Sequence, residues 1–232
     1  MSPLFFPNRL LWAGFFSVLL SAGGWSQEPP AGPERWERQI AAFEAGDAEH
    51  PHEKGGVVFV GSSSIRLWKT LATDFPEHRV LNRGFGGSQL SDLVHFADRL
   101  VLAYGPQFVV VYSGGNDINA GKTAEQVFQS FRELVGKIRQ SQPKTPIAYL
   151  SIAGNPKRWA QVAEVIRANA LIEVFTKQNE NLLFIDVFHP MLWPDGLPRP
   201  EIFAPDRLHM NAAGYELWRQ TVLPCLPKPD HP

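Results

Sequence analysis

Five short, mostly apolar runs rich in β-branched residues recur along the chain, and amphipathic helical segments separate them. The runs occupy residues 57–60, 79–82, 108–112, 146–150 and 182–187. Their apolar character is continuous rather than alternating, which is typical of strands covered on both faces in a parallel sheet. Strands that alternate with helices connect by right-handed crossovers. The pattern predicts a three-layer α/β/α sandwich around a five-stranded parallel sheet of flavodoxin-like type.

Several helices carry recognisable start signals. Residues 123–126 have the form of a capping box ahead of a regular apolar face. Asn155 followed by Pro156 pairs a cap residue with a first-turn proline, which predicts a helix that starts there. Trp36 belongs to a predicted amino-terminal helix, and Asn211 can cap a final helix. These helices would supply the two outer layers.

The first 26 residues have the pattern of a secretory signal peptide. Arg9 precedes an apolar run at residues 10–20, and small residues follow at 21–24. The run is shorter than the roughly 20 residues that cross a bilayer. We therefore expect a signal peptide at 1–26, a spacer with the amino-terminal helix at 27–50, and one globular domain at 51–226. The expected location is secreted or periplasmic.

Composition excludes several classes of protein. Without Arg9, the 22 Lys and Arg residues become 21 against 23 Asp and Glu, which gives no basic surface for nucleic acid or anionic membranes. Cys225 is the single cysteine, so no intrachain disulfide can form. Gln89 stands where the last glycine of a dinucleotide-binding fingerprint would fall. The Gly-x-Ser-x-Gly elbow of α/β-hydrolases is also absent from the sequence.

Three glycine-rich polar segments directly follow the first three predicted strands. They are residues 61–64 (Gly-Ser-Ser-Ser), 84–88 (Gly-Phe-Gly-Gly-Ser) and 114–117 (Gly-Gly-Asn-Asp). Because the carboxyl ends of parallel strands share one edge of the sheet, these segments should meet there. A fourth segment, residues 206–209 (Asp-Arg-Leu-His), follows the last strand by a long loop and can reach the same edge. The sequence therefore predicts a site at this edge.

Asp206 and His209 have the residue types of a catalytic base and its orienting carboxylate. A serine hydroxyl attacks a carbonyl when a neighbouring base removes its proton, usually an imidazole held by a carboxylate. The alternatives are structural: the serines as a helix N-cap, the glycine segments as tight turns, and Asp206 with His209 as an ion pair. For the structural interpretation to be right, all four segments would need such an explanation at the same time. The pattern therefore favours a serine hydrolase.

The four segments resemble, in order and spacing, the sequence blocks of the SGNH hydrolases, also called GDSL-type esterases and lipases. The resemblance runs from about residue 57 to residue 215. It implies that Ser63 is the nucleophile, that His209 is the general base and acid, and that Asp206 orients His209. It also implies that the domain at 51–226 is a hydrolase domain of this family.

The resemblance further implies an oxyanion hole formed by the backbone amides of Ser63 and Gly87 and the side-chain amide of Asn116. A glycine lets a main-chain donor approach the substrate without a β-carbon in the way. Ser62 occupies the position where the family usually has aspartate. Spacing alone does not separate Ser62, Ser63 and Ser64 as nucleophiles, and the resemblance selects Ser63.

Four aromatic residues are candidates for the wall of an acyl or sugar pocket. Trp193 and Phe203 lie on a proline-rich loop at residues 189–205, and we expect Trp68 and Phe85 to face them. Core packing is an equally good interpretation for each ring.

The function expected from these features is that of a serine esterase acting through an acyl-enzyme, with no metal or organic cofactor. The expected partners are small-molecule or carbohydrate esters with short acyl chains, including acetyl groups on carbohydrate. A lysophospholipase-type lipid acylhydrolase, acyl transfer to a sugar, and a non-catalytic carbohydrate-binding descendant of the fold remain as alternatives.

Overall fold

A five-stranded parallel sheet forms the centre of the protein in a computed structural model, which describes Met1 and residues 32–229. The predicted signal peptide and the start of the spacer lie outside the described residues, Met1 apart. The strands are β1 (Val57–Gly61), β2 (Val80–Gly84), β3 (Phe108–Tyr112), β4 (Ile147–Leu150) and β5 (Leu182–Ile185).

Neighbouring strands pair in parallel in the order β2-β1-β3-β4-β5, which is the flavodoxin-like order. The predicted fold class is confirmed.

The α-helices of residues 32–229 are α1 (Glu37–Glu49), α2 (Ser63–Leu67), α3 (Leu71–Asp74), α4 (Leu90–His95), α5 (Ala97–Leu100), α6 (Gly115–Asn119), α7 (Ala124–Ser141), α8 (Val162–Lys177) and α9 (Ala212–Val222).

The core has two layers, one on each face of the sheet. Successive strand residues point to opposite faces, so Val58 of β1 packs in one layer and Phe59 in the other. One layer takes side chains from α1, α4, α7 and α8, and the other takes them from α2, α3 and α9. This double coverage explains why the strands read as continuous apolar runs. Within residues 32–229, no helix combines the length and apolar character needed to span a membrane.

Two predicted helix starts are confirmed, and at the third the cap is confirmed but the kind of helix differs. Thr123 Oγ1 accepts from the Gln126 backbone N–H at the start of α7, and Asn211 caps α9. Asn155 does hold a backbone N–H, that of Arg158, but the segment Pro156–Gln161 is a 3-10 helix, and α8 begins only at Val162. A cap residue followed by proline suits the first turn of either kind of helix.

The register of the central strands brings the three glycine-rich segments together. Gly61 at the end of β1 lies opposite Gly84 of β2 on one side and Tyr112 of β3 on the other. Gly84 allows a close approach, because a β-carbon there would lie 2.2 Å from the backbone nitrogen of Arg66 in α2. The segments that follow these three strands therefore leave the sheet side by side.

Candidate active site

Ser63 is the first residue of α2, directly after the β1 end and the N-cap residue Ser62. The first backbone N–H groups of a helix have no carbonyl partner within the helix. The hydroxyl of Ser63 lies 2.9 Å from His209 Nε2. The strand-to-helix junction thus presents a hydroxyl and a free main-chain donor at the same point of the sheet edge.

His209 connects Ser63 to Asp206 across 146 residues of sequence. His209 Nδ1 lies 2.6 Å from Asp206 Oδ2. With its proton on Nδ1, the imidazole donates to Asp206 and accepts from the Ser63 hydroxyl through Nε2. The three side chains form one continuous hydrogen-bonded chain, with the geometry that proton transfer from a serine requires.

The turn that carries Asp206 holds its carboxylate in the charged form. The hydrogen bond from His209 and the backbone N–H groups of His209 and Leu208, each 2.9 Å from Oδ1, lower the pKa of Asp206 to about 2. Arg207 takes the left-handed conformation, with φ of 58°, and its N–H donates to the Ala204 carbonyl. That conformation costs a non-glycine residue roughly 1–2 kcal/mol, which the hydrogen bonds of the turn offset.

The three neighbouring serines differ in their contacts. The Ser62 carbonyl accepts the N–H groups of Ile65 and Arg66 in the first turn of α2. The Ser64 carbonyl accepts from the Tyr215 hydroxyl, and the Ser64 side chain is buried. Ser63 is the one whose hydroxyl contacts His209. The structure thus separates three positions that spacing leaves equivalent.

Gly87 and Asn116 lie next to each other beside this chain. Asn116 Nδ2 donates to the Ser88 carbonyl at 3.0 Å, and a β-carbon on Gly87 would lie 3.8 Å from the same nitrogen. Asn116, Ser63 and His209 line one cavity. The structure therefore brings together the side chains predicted for the triad and two of the three predicted oxyanion donors, with the third donor adjoining Asn116.

Asp117 supports the glycine segment from beneath, although its sequence position suggests only a turn. Its side chain is fully buried, pairs with Lys122 at 2.9 Å and accepts the Leu90 N–H at 3.1 Å. Burial raises the pKa of Asp117, and the Lys122 ammonium opposes that rise. Because α4 begins at Leu90, three residues after Gly87, this carboxylate ties the end of the glycine segment to α6. The one sequence feature that could have indicated this role is the acidic residue directly after Asn116.

The cavity beside Ser63 is small, with a volume of about 30 Å³. It opens partly to solvent, and its polar side is formed by the three serines, Asn116, Arg158 and His209. Its apolar walls are formed by Tyr112, Ile152, Ala153, Met191, Phe203 and Trp218. No group of three or more His, Cys, Asp or Glu side chains within residues 32–229 is placed to hold a metal ion.

Of the four aromatic residues predicted to wall the pocket, only Phe203 lines this cavity. Trp68 and Phe85 are at most 1% exposed and lie in opposite core layers, where burial of large rings between sheet and helices stabilises the fold. Trp193 is 46% exposed and packs against the Arg199 guanidinium on the surface. The prediction is corrected for these three residues.

A second Asp-x-x-His turn, at Asp186 and His189, reproduces the carboxylate–imidazole pair away from the site. His189 Nδ1 lies 2.6 Å from Asp186 Oδ2, and Oδ1 accepts two backbone N–H groups as in the first turn. The His189 side chain is 78% exposed. Its Nε2 contacts no serine hydroxyl of the described chain. The Asp-x-x-His motif is therefore sufficient to form an Asp–His pair. His209 differs from His189 because it also contacts the hydroxyl of Ser63.

Comparisons with known proteins identify the family. The family model described as GDSL-like Lipase/Acylhydrolase family matches residues 57–217, which is most of the chain. The chain belongs to this family of hydrolases. A comparison with curated protein sequences gave no significant match.

Solved structures resemble the protein at low sequence identity. A Streptococcus pneumonia protein, provisionally described as a platelet activating factor, is 17% identical with a TM-score of 0.73, and the match covers 83% of this chain and 93% of that one. A GDSL-like lipase from Bacteroides thetaiotaomicron is 20% identical with a TM-score of 0.66, over 84% and 96% of the two chains. An acetyl xylan esterase is 20% identical with a TM-score of 0.62, over 74% and 99%. These likenesses show the shared fold.

Proposed function

We propose that the protein is a serine carboxylesterase in which Ser63 is the nucleophile. The observation that carries the proposal is the continuous hydrogen-bonded chain from Asp206 through His209 to Ser63, with distances of 2.6 Å and 2.9 Å. This chain ends in the cavity that Asn116 also lines. A nucleophile, its base and a candidate oxyanion donor thus share one small space.

The first half of the reaction forms an acyl-enzyme. The Ser63 oxygen attacks the ester carbonyl carbon while His209 Nε2 takes the hydroxyl proton, and Asp206 stabilises the imidazolium. The oxyanion accepts hydrogen bonds from the backbone N–H groups of Ser63 and Gly87 and from Asn116 Nδ2. The tetrahedral intermediate then expels the alcohol, which leaves with the proton from His209, and the acyl group stays on Ser63.

The second half releases the acid. A water molecule replaces the alcohol, His209 takes one of its protons, and the resulting hydroxide attacks the acyl carbon. The Ser63 oxygen leaves, recovers its proton from His209, and the carboxylic acid departs. A sugar hydroxyl in place of the water would give acyl transfer through the same steps.

We propose short acyl groups, acetyl above all, as the substrate class. A cavity of about 30 Å³ has room for roughly two water molecules, which is close to the size of an acetyl group. Met191 and Phe203 contribute apolar side chains to its wall, which suit the methyl group of an acetyl ester. The structural likeness to an acetyl xylan esterase supports a carbohydrate alcohol.

A lipid acylhydrolase is the second candidate, and one observation favours it. Trp193 and Leu197 are 46% and 51% exposed on the proline-rich loop beyond β5, where they would suit contact with lipid. A series of p-nitrophenyl esters from acetate to decanoate, with acetylated xylan and lysophosphatidylcholine beside it, distinguishes the two. A kcat/KM that falls with acyl length supports the acetyl esterase, and one that rises with it supports the lipid enzyme.

The mature protein should hydrolyse p-nitrophenyl acetate, and Ser63→Ala should lower kcat by at least about 10³-fold because the nucleophile is lost. Ser91→Ala is the matched control, since Ser91 is exposed on α4. Equal activity of Ser63→Ala and the wild type would overturn the assignment of the nucleophile. A folded wild type without activity on any of these esters would leave the non-catalytic carbohydrate-binding alternative.

A further inference from the structure

Arg158 reaches the candidate oxyanion hole from an element that the sequence did not mark as functional. It lies in the 3-10 segment Pro156–Gln161 between β4 and α8, where the Asn155 side chain accepts its backbone N–H at 3.0 Å. Its Nη1 donates to Asn116 Oδ1 at 3.0 Å and to the Gly115 carbonyl at 3.2 Å. One guanidinium nitrogen therefore holds both the side chain of Asn116 and the backbone before it.

The guanidinium is half-buried and has no acidic partner among residues 32–229. Burial lowers the pKa of Arg158 from its ordinary value. A cation withdrawn from water without a carboxylate partner is costly unless other acceptors satisfy it. Here those acceptors are the carbonyl oxygens of Gly115 and Asn116. Burial thus disfavours the charge on Arg158, and the two hydrogen bonds of the guanidinium fix the side-chain amide of Asn116.

The orientation of the Asn116 amide decides what faces a substrate. With Oδ1 toward Arg158, Nδ2 donates one hydrogen to the Ser88 carbonyl and keeps the other for an acceptor in the cavity. In the flipped orientation, the amide NH₂ would meet the guanidinium, donor against donor. Oδ1 would then meet the Ser88 carbonyl and the negative oxygen of the intermediate, acceptor against acceptor. Arg158 therefore excludes the orientation that would oppose catalysis.

We propose that Arg158 is a positioning residue for the esterase reaction, which locks the Asn116 amide with Nδ2 toward the oxyanion. The inference rests on the proposed function. A cation bonded to Oδ1 also polarises the amide and makes its N–H a stronger donor, as hydrogen bonds in a chain reinforce one another. Since the oxyanion exists only after attack, the effect belongs to kcat rather than to binding of the ester.

A double-mutant cycle with p-nitrophenyl acetate tests the proposal. Arg158→Met keeps an unbranched apolar stem of about four atoms and removes the charge and the N–H donors of the guanidinium. Asn116→Ala removes the amide, and the double variant removes both. Lys157→Met is the matched control, because it deletes a neighbouring exposed cation. Circular dichroism and thermal melting establish that each variant is folded.

Arg158→Met should lower kcat by about 10- to 100-fold, part of the 10²- to 10³-fold loss typical when an oxyanion donor is removed, with little change in KM. Arg158→Lys should recover part of the loss, because one ammonium can still reach Oδ1. In the Asn116→Ala background, Arg158→Met should change kcat by less than about twofold. Lys157→Met should match the wild type.

Two results would overturn the proposal in an active enzyme: an unchanged kcat in Arg158→Met, or the same fold-loss with and without Asn116. A rise in KM alone would also overturn it, because that result assigns Arg158 to substrate binding. A wild type that is folded but neither hydrolyses the ester nor reacts with a fluorophosphonate would remove the proposed function, and this inference with it.

Discussion

At the scale of single residues, Asp206 shows how the turn sets the electrostatics of the site. Its pKa is lowered to about 2, first by the hydrogen bond from His209 and then by backbone N–H groups. A lowered pKa means that the charged form is favoured in the folded state. The resulting stabilisation is present above the unfolded value near 3.9 and is lost only as the pH falls toward 2. Asp206 is therefore charged wherever esterase activity is measured.

Asp206→Asn should lower kcat by on the order of 10⁴-fold, because a neutral amide neither stabilises the imidazolium nor fixes the tautomer of His209. Asp186→Asn is the matched control, since Asp186 holds the imidazole of His189 in the same way, and the Nε2 of His189 contacts no serine hydroxyl among the described residues. The pH dependence of kcat/KM between pH 4 and pH 8 should show no inflection from Asp206. An inflection near pH 4 that disappears in Asp206→Asn would contradict this account.

Ser63, Gly87 and Asn116 could be predicted from sequence because each lies shortly after the end of a strand, where a parallel sheet gathers its loops. The contacts of Arg158 and Asp117 could not, since they depend on how two loops fold against each other. Trp68 and Phe85 show the converse limit. The sequence around an aromatic residue near a glycine segment does not show whether its ring faces a cavity or the core. Here both rings face the core.

At the scale of elements, the amino-terminal helix supports the glycine segment of the site. Trp36, directly before α1, packs its ring against Gly86, where a β-carbon would lie 2.1 Å from the ring. Gln39 of α1 accepts the Gly86 N–H at 3.1 Å. Both residues precede the family match at residues 57–217. Since Gly87 is a proposed oxyanion donor, these contacts set the position of its N–H.

Trp36→Ala should lower kcat by roughly 10- to 100-fold, because small displacements of catalytic donors cost rate. Phe43→Ala is the control, since Phe43 lies on α1 and packs against the core and the Arg83 guanidinium, whereas the atoms nearest to a β-carbon on Gly86 belong to Trp36. Both variants should melt at lower temperature, and kcat on p-nitrophenyl acetate should fall only in Trp36→Ala. A kcat that is equal in the two variants would show that α1 stabilises the fold without positioning the loop.

The elements themselves were largely predictable, to within one or two residues at the strand ends. Capping side chains such as Thr123 and Asn211 act locally, so sequence reports them well. The 3-10 segment after Asn155 was not predictable, because Asn followed by Pro suits both helix types. The backbone of this segment places Arg158 where it makes long-range hydrogen bonds to Gly115 and Asn116, which local sequence does not report.

At the scale of the whole molecule, α1 is integrated into the fold. Ile40 is fully buried in the core layer that contains Val58 and Val60 of β1. Asp47 near the end of α1 pairs with Arg83 of β2, which is 5% exposed, and accepts from the Tyr104 hydroxyl. We therefore expect the catalytic domain to depend on residues before 51.

A protein that begins at residue 51 should be less stable than one that begins at residue 27. It loses the burial of Ile40, worth about 2–5 kcal/mol for a large side chain, and leaves Arg83 without its carboxylate. For a domain of this size that corresponds to a fall in Tm of roughly 5–15 °C or more. Calorimetry of the two proteins measures it, and equal melting temperatures would contradict the dependence.

The most direct test of Ser63 as the nucleophile is the position of a fluorophosphonate label, read by mass spectrometry of peptides from the inactivated protein. We expect one label, on the Ser63 oxygen, with loss of activity in proportion to labelling. A label on Ser62 or Ser64, or an active protein that takes up no label, would contradict it.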